Sequence, residues 1–116
     1  MKVFVYFNLH KKVFSVKALE GEKKGLVIAH REYVMLENVT FKVSQAGRLR
    51  VIAEKRKNVH AGAVGEWRDD VAILKGDVAV TYNPYKYSSF VEKETEQPVH
   101  TARRAVLHNK HIQAEI

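Results

Sequence analysis

The sequence predicts an α+β fold: one domain over residues 1–116, mostly antiparallel β-sheet built from hairpins, with one main basic helix at about 45–57. Three observations carry that expectation. Apolar side chains alternate at period two in short runs along most of the chain, as half-buried strands require. Turns of hairpin length separate those runs, with no internal repeat or linker between them. Helical spacing of apolar residues stands out in a single stretch. A chain of 116 residues is long enough for one core and too short for two ordinary ones.

The elements follow in order. Lys2 to Phe7 is apolar on both faces and reads as a first strand buried on both sides or nearly so. Asn8 to Lys12 is a polar break, after which Val13 to Leu19 resumes the alternation. Gly21 and Gly25 bracket a second turn, and Leu26 to Ala29 is a short strand. Tyr33 to Val43 makes a long strand, with an interruption expected near Glu37-Asn38. Ser44 is placed to cap a helix, because its hydroxyl accepts from a free amide of the first turn. The helix should run from Gln45 to about Lys57, with Leu49, Ile52 and Ala53 as the stripe facing the core. Gly47 costs it about 1 kcal/mol relative to alanine, so packing has to hold it.

Val59 to Trp67 then reads as a strand, and Ala61-Gly62-Ala63-Val64-Gly65 within it allows close approach to a ligand or to another strand. Val71 to Leu74 and Val78 to Tyr82 flank Lys75-Gly76-Asp77 as a hairpin. Asn83-Pro84 breaks the pattern, because proline has no amide to give to a ladder. Extended structure is expected again over Tyr85 to Val91, a loop over Glu92 to Gln97, and a last hairpin turning at His108 to Lys110.

Charge is the strongest global signal. The chain carries a net +7 with a pI near 9.7, which favours polyanionic partners: RNA, DNA, nucleotides or an acidic protein surface. Residues 48–57 concentrate this charge in Arg48, Arg50, Lys55, Arg56 and Lys57, although a basic solvated helix face is the ordinary alternative. No apolar run is long enough to span a membrane, and the N-terminus does not resemble a signal peptide. Cysteine is absent, which excludes disulfides and thiolate zinc sites.

Three clusters place phosphate-friendly groups beside expected turns. They are Asn8, His10, Lys11 and Lys12; Arg56, Lys57, Asn58 and His60; and Tyr82, Asn83, Tyr85, Lys86 and Tyr87. Arg48, Arg56, Lys57, Lys11 and Lys12 are the candidate phosphate ligands, and Tyr82 and Tyr85 the candidate base-stacking rings. Two histidines and a cation suffice for metal-independent cleavage of RNA, which makes His10, His60 and Lys86 the candidate catalytic set. No metal or cofactor is called for. The carboxylates fall mostly in turns, His108 and His111 lack a third ligand, and no glycine-rich phosphate loop is present.

The segments YFNLHKKVFSV (6–16), RLRVIAEKRKNVHAGAVG (48–65) and VTYNPYKYSSFV (80–91) resemble a family of small accessory proteins encoded by tailed bacteriophages. The resemblance runs in blocks from Val3 to Val91. It implies a phage protein working in the host bacterial cytoplasm on host or host-defence machinery, and it carries no catalytic residues over. Three function classes stand: a nucleic-acid or nucleotide binding module, a metal-independent ribonuclease or phosphodiesterase, and an inhibitor of an acidic host protein. Exposed hairpin edges allow a monomer or a homodimer.

Overall fold

The computed structural model describes residues 1–68, 74 and 76–116. It shows one nine-stranded antiparallel sheet and one short helix, the α+β arrangement expected. The strands are β1 (Lys2–Asn8), β2 (Val13–Ala18), β3 (Val27–Arg31), β4 (Tyr33–Val43), β5 (Ala61–Arg68), β6 (Asp77–Thr81), β7 (Val91–Glu92), β8 (Thr101–His108) and β9 (His111–Glu115). The helix α1 (Gln45–Glu54) joins β4 to β5. In space the strands run β3-β2-β1-β5-β4-β8-β9-β6-β7.

That order forces the sheet to curl. β3 stands first and β4 fifth, yet only Glu32 separates Arg31 from Tyr33 in the chain. A flat sheet would hold their ends four strand spacings apart, about 19 Å. Bending brings them together, and it carries the Arg31 guanidinium to 5.7 Å from the centre of the Trp67 ring on β5. One apolar cluster then fills the inner face, from Val3, Val5, Phe14 and Val16 to Val80, Phe90, Leu107 and Ala114.

Turn chemistry sets the registers. The β1–β2 hairpin pairs Asn8 with Val13, and the Asn8 carboxamide oxygen accepts from the amides of His10 (3.0 Å) and Lys11 (2.9 Å). The β8–β9 hairpin turns on Asn109 and Lys110, both at positive φ (50° and 67°), the conformation that a two-residue hairpin turn demands. The interruption expected near Glu37-Asn38 is a bulge: the β4–β5 register shifts between Glu37 and Thr40, and Asn38 has φ 51°. Gly65 sits opposite. A Cβ there would lie 2.8 Å from the Glu37 carbonyl oxygen, so the strand partner needs glycine where the bulge presses in.

Three expectations need correction. The helix stops at Glu54, because Lys55 enters the left-handed region (φ 56°) and its amide bonds to the Val51 carbonyl. The chain has to turn there to lay β5 beside β4, and Ser44 N–H closes the connection on the His60 carbonyl at 2.7 Å. Its inward face is Gly47 and Val51, one turn apart, whereas Leu49 and Ile52 are 60% and 37% exposed. Tyr85 to Val91 is not extended over its length. The amides of Lys86 and Tyr87 both donate to the Asn83 carbonyl, folding residues 84–86 into a turn and leaving only Val91 and Glu92 in β7. The first strand of the hairpin expected at Val71 to Leu74 lies, but for Leu74, outside the described residues. Its second strand is β6, which pairs with β9 and β7.

Candidate functional site

The curl leaves a cavity of about 580 Å³ on the inner face. Its apolar wall comes from both halves of the sheet: Val5, Phe7 and Phe14 on one side, and Val80, Phe90, Leu107 and Ile112 on the other. Ala61, Gly62 and Ala63 of β5 lie between them, and the small side chains of Ala61 and Ala63 leave the space open. The rings form two packed groups. Phe7 meets Phe14 edge-on at 5.3 Å, while Tyr82, Phe90 and Phe41 follow one another at centroid distances of 5.2 and 5.1 Å.

The polar side of the cavity is built where α1, the start of β5 and the segment after β6 meet. Gly47 makes this possible. A Cβ on it would lie 2.4 Å from the His60 Cβ, so the helix can press against His60 only because residue 47 has no side chain. Ser44 caps the helix as expected, its hydroxyl accepting from Gly47 N–H at 3.2 Å. Arg48 Nε donates to the carbonyls of Pro84 (3.0 Å) and Tyr87 (2.8 Å), and Gln45 Nε2 donates to Ser88 O (2.8 Å). The helix thereby clamps the Asn83 to Ser88 loop beside His60.

His60 is then held from both sides of its ring. Nδ1 lies 3.1 Å from the Asn58 carbonyl and 3.1 Å from its Oδ1, and Nε2 lies 2.7 Å from the Tyr82 hydroxyl. A backbone carbonyl can only accept, so Nδ1 carries a proton, and in the neutral ring Nε2 accepts from Tyr82. Burial pushes the Tyr82 phenol above its ordinary value, with the Arg48 charge partly opposing it. The phenol is therefore neutral near pH 7, and the lone pairs of its oxygen remain available to a ligand.

The second and third sequence clusters converge here: Lys57, Asn58 and His60 line the cavity together with Tyr82, Asn83 and Tyr85. The first cluster reaches it only through its neighbour Leu9. His10, Lys11 and Lys12 are exposed on the β1–β2 loop and do not line the cavity. Lys86 and Arg56 are exposed and lie outside the lining too. Arg48 has its Nε committed to the loop carbonyls and acts there as a clamp. His60 thus stands at the cavity without His10 or Lys86.

Lys110 is a member that sequence reasoning did not find. It comes from the β8–β9 turn, and its ammonium lies 5.5 Å from the centre of the Phe7 ring. Nothing local to Lys110 signals this, because the curl of the whole sheet brings that turn to β1. His108 and His111 face each other across the same turn as direct strand partners, closer in direction than the spacing alone suggests. Among the described residues no three His, Cys, Asp or Glu side chains are grouped to hold a metal ion.

A family model described as the Mycobacterium phage L5 gene 82 protein matches residues 1–115. The gene 82 protein of Mycobacterium phage L5 is 40% identical over 123 aligned positions, which cover 98% of this chain and 95% of that protein. No solved structure matches.

Proposed function

Because the chain belongs to the Mycobacterium phage L5 gene 82 protein family, we propose that it is a phage accessory protein that binds a nucleotide, or the end of a nucleic-acid strand, in the cavity beside His60. The convergence of two separate sequence clusters on one cavity carries this reading. The volume of about 580 Å³ suits a small-molecule site, and its wall of Phe7, Phe14, Phe90 and Tyr82 suits a planar base. Lys57 and Lys110 stand where a phosphate would need charge, and the Tyr82 oxygen accepts from a base amino or ribose hydroxyl group. The net charge of +7 favours the encounter with any such anion.

As a phage protein made in the infected host, it would meet host nucleotides and host nucleic acid in the cytoplasm. Removing a nucleotide signal from host-defence machinery is the consequence that this chemistry favours. Binding without turnover is favoured over metal-independent cleavage, because His10 does not join His60 at the cavity.

Titration calorimetry in EDTA against mononucleotides, cyclic dinucleotides and short oligonucleotides tests the proposal, with products assayed in the same samples. Saturable binding that weakens with salt and with Lys57→Glu or Lys110→Glu, leaving the ligand intact, is the expected result. No binding to any of these, or binding indifferent to both lysine reversals, would remove it. Cleavage lost in His60→Ala would replace it with a phosphodiesterase.

A further inference from the structure

The opposite face of the sheet carries a second feature, which shares Tyr6, Val59 and His60 with the cavity lining. In β1 the residues Val3 and Val5 are buried, so Phe4 and Tyr6 between and beyond them point away from the core. Their rings lie side by side, with centroids 5.9 Å apart and planes inclined at 33°. On one flank Phe4 pairs with Lys17 of β2. On the other flank β5 presents Gly62, and a Cβ there would lie 2.7 Å from the tip of the Phe4 ring. The glycine lets the ring lie flat across the strand. Its partner on β4 is Lys42, so cations bracket the two rings from both sides. A depression of about 590 Å³ is lined by these four side chains with Val27 and Val59, which are 42% and 52% exposed. No acidic residue is among the described residues that line it.

We propose that this outer face of β1, β2, β4 and β5 is a docking surface for single-stranded DNA, with bases stacking on Phe4 and Tyr6 and phosphates held by Lys17 and Lys42. Aromatic platforms flanked by cations bind unpaired strands because every base has a stacking face and every linkage a negative charge. A duplex hides its base faces and cannot use the rings. The two cations favour a polyanion over a second copy of this basic chain, whose own lysines would be brought together in a symmetric contact. A DNA strand supplies both the stacking faces and the charged linkages, and a matched RNA strand is the comparison that the test includes.

The surface goes beyond the cavity reading and is tested apart from it. Tyr6, Val59 and His60 line both depressions, so the variants are Lys17→Glu with Lys42→Glu, and Phe4→Leu, none of which lines the cavity. Fluorescence anisotropy of a labelled oligodeoxythymidylate is followed across a salt series. The double reversal should weaken binding about tenfold or more and reduce the log–log salt slope by about 1.4, the share of two phosphates on a single strand. Phe4→Leu keeps apolar bulk over Gly62 and should weaken binding about fivefold or more with the slope unchanged. A bromodeoxyuridine strand should cross-link to Phe4 or Tyr6, and nucleotide binding in the cavity should be the same in every variant. Parent-like binding by both variants, cross-links mapping elsewhere, or no binding even at low salt would overturn the proposal. So would an RNA strand of matching sequence binding more than tenfold tighter, or a dimer through this face that excludes the strand.

Discussion

The Tyr82 hydroxyl donates to His60 Nε2 across 2.7 Å, and the Asn58 carbonyl fixes the proton on the other ring nitrogen. Two residues 22 apart in the chain are thereby locked into one donor–acceptor chain at the cavity. Tyr82→Phe removes the only donor in the described structure that faces Nε2 while leaving the ring packed on Phe90. The expected loss is about 1 kcal/mol of unfolding free energy, at the modest end for a hydrogen bond because the site is open to water. Urea denaturation of the variant checks this. A midpoint equal to that of the parent would mean that the bond contributes nothing.

Gly47→Ala should destabilise the protein, against the rule that alanine improves a helix by about 1 kcal/mol over glycine. The added methyl would lie 2.4 Å from the His60 Cβ, so the helix must move away from β5. Net destabilisation of about 1–3 kcal/mol is expected from such overpacking. His60→Ala cannot rescue it, since the Cβ remains, but His60→Gly should recover part of the loss. Thermal melts of the four proteins give the answer, and a Gly47→Ala variant melting higher than the parent would refute the close contact.

These two residues also show what could be read from the chain and what could not. The Ser44 cap and the break at Glu37-Asn38 were legible because their causes are local: a hydroxyl before a helical run, and a residue that tolerates positive φ. The helix face was not legible. Leu49, Ile52 and Ala53 look like the buried stripe, yet docking is governed by Gly47, where an absent side chain sets the contact. The small residues 61–65 were expected to admit a ligand or a strand, and at Gly62 and Gly65 neighbouring strands make the close approach. Lys110 joins the cavity only through the curl, which no short segment encodes.

Arg104 and Glu115 are strand partners in β8 and β9, joined by an Arg104 Nη2 to Glu115 Oε2 bond of 2.7 Å. The Glu115 side chain is 7% exposed, and Arg103 approaches the other oxygen at 3.8 Å. Arg104→Met takes the 2.7 Å guanidinium partner from a nearly buried carboxylate and leaves Arg103 among its remaining partners. A loss of about 2–3 kcal/mol is expected, somewhat below the usual range for breaking a buried pair, because Arg103 remains. Glu115→Gln in the same background should recover stability by removing the charge. If denaturant curves show no such recovery, the carboxylate is not the source of the cost.

Alkaline pH offers a test of the Tyr82 environment. Its phenol is pushed above 10.0, first by burial, with Arg48 opposing. The phenol of Tyr87 is also raised, first by its hydrogen bond to Glu96 and then by burial and the Glu96 charge. For a phenol the raised value means that the folded state holds its proton after the unfolded state has lost it. The stability from Tyr82 is therefore complete below pH 10.0 and is lost as pH rises through its higher folded value. Tyr82 and Tyr87 should each ionise above the ordinary phenol value of 10.0 when phenolate absorbance is followed in the native protein. Tyr82→Phe should delete one late step and make the alkaline fall in stability shallower. Tyr87→Phe should delete the other with little effect on stability, because that ring hydroxyl is exposed to solvent. If Tyr82→Phe leaves the high-pH part of the absorbance curve unchanged, the Tyr82 hydroxyl is solvated and the donor–acceptor chain through His60 does not hold it.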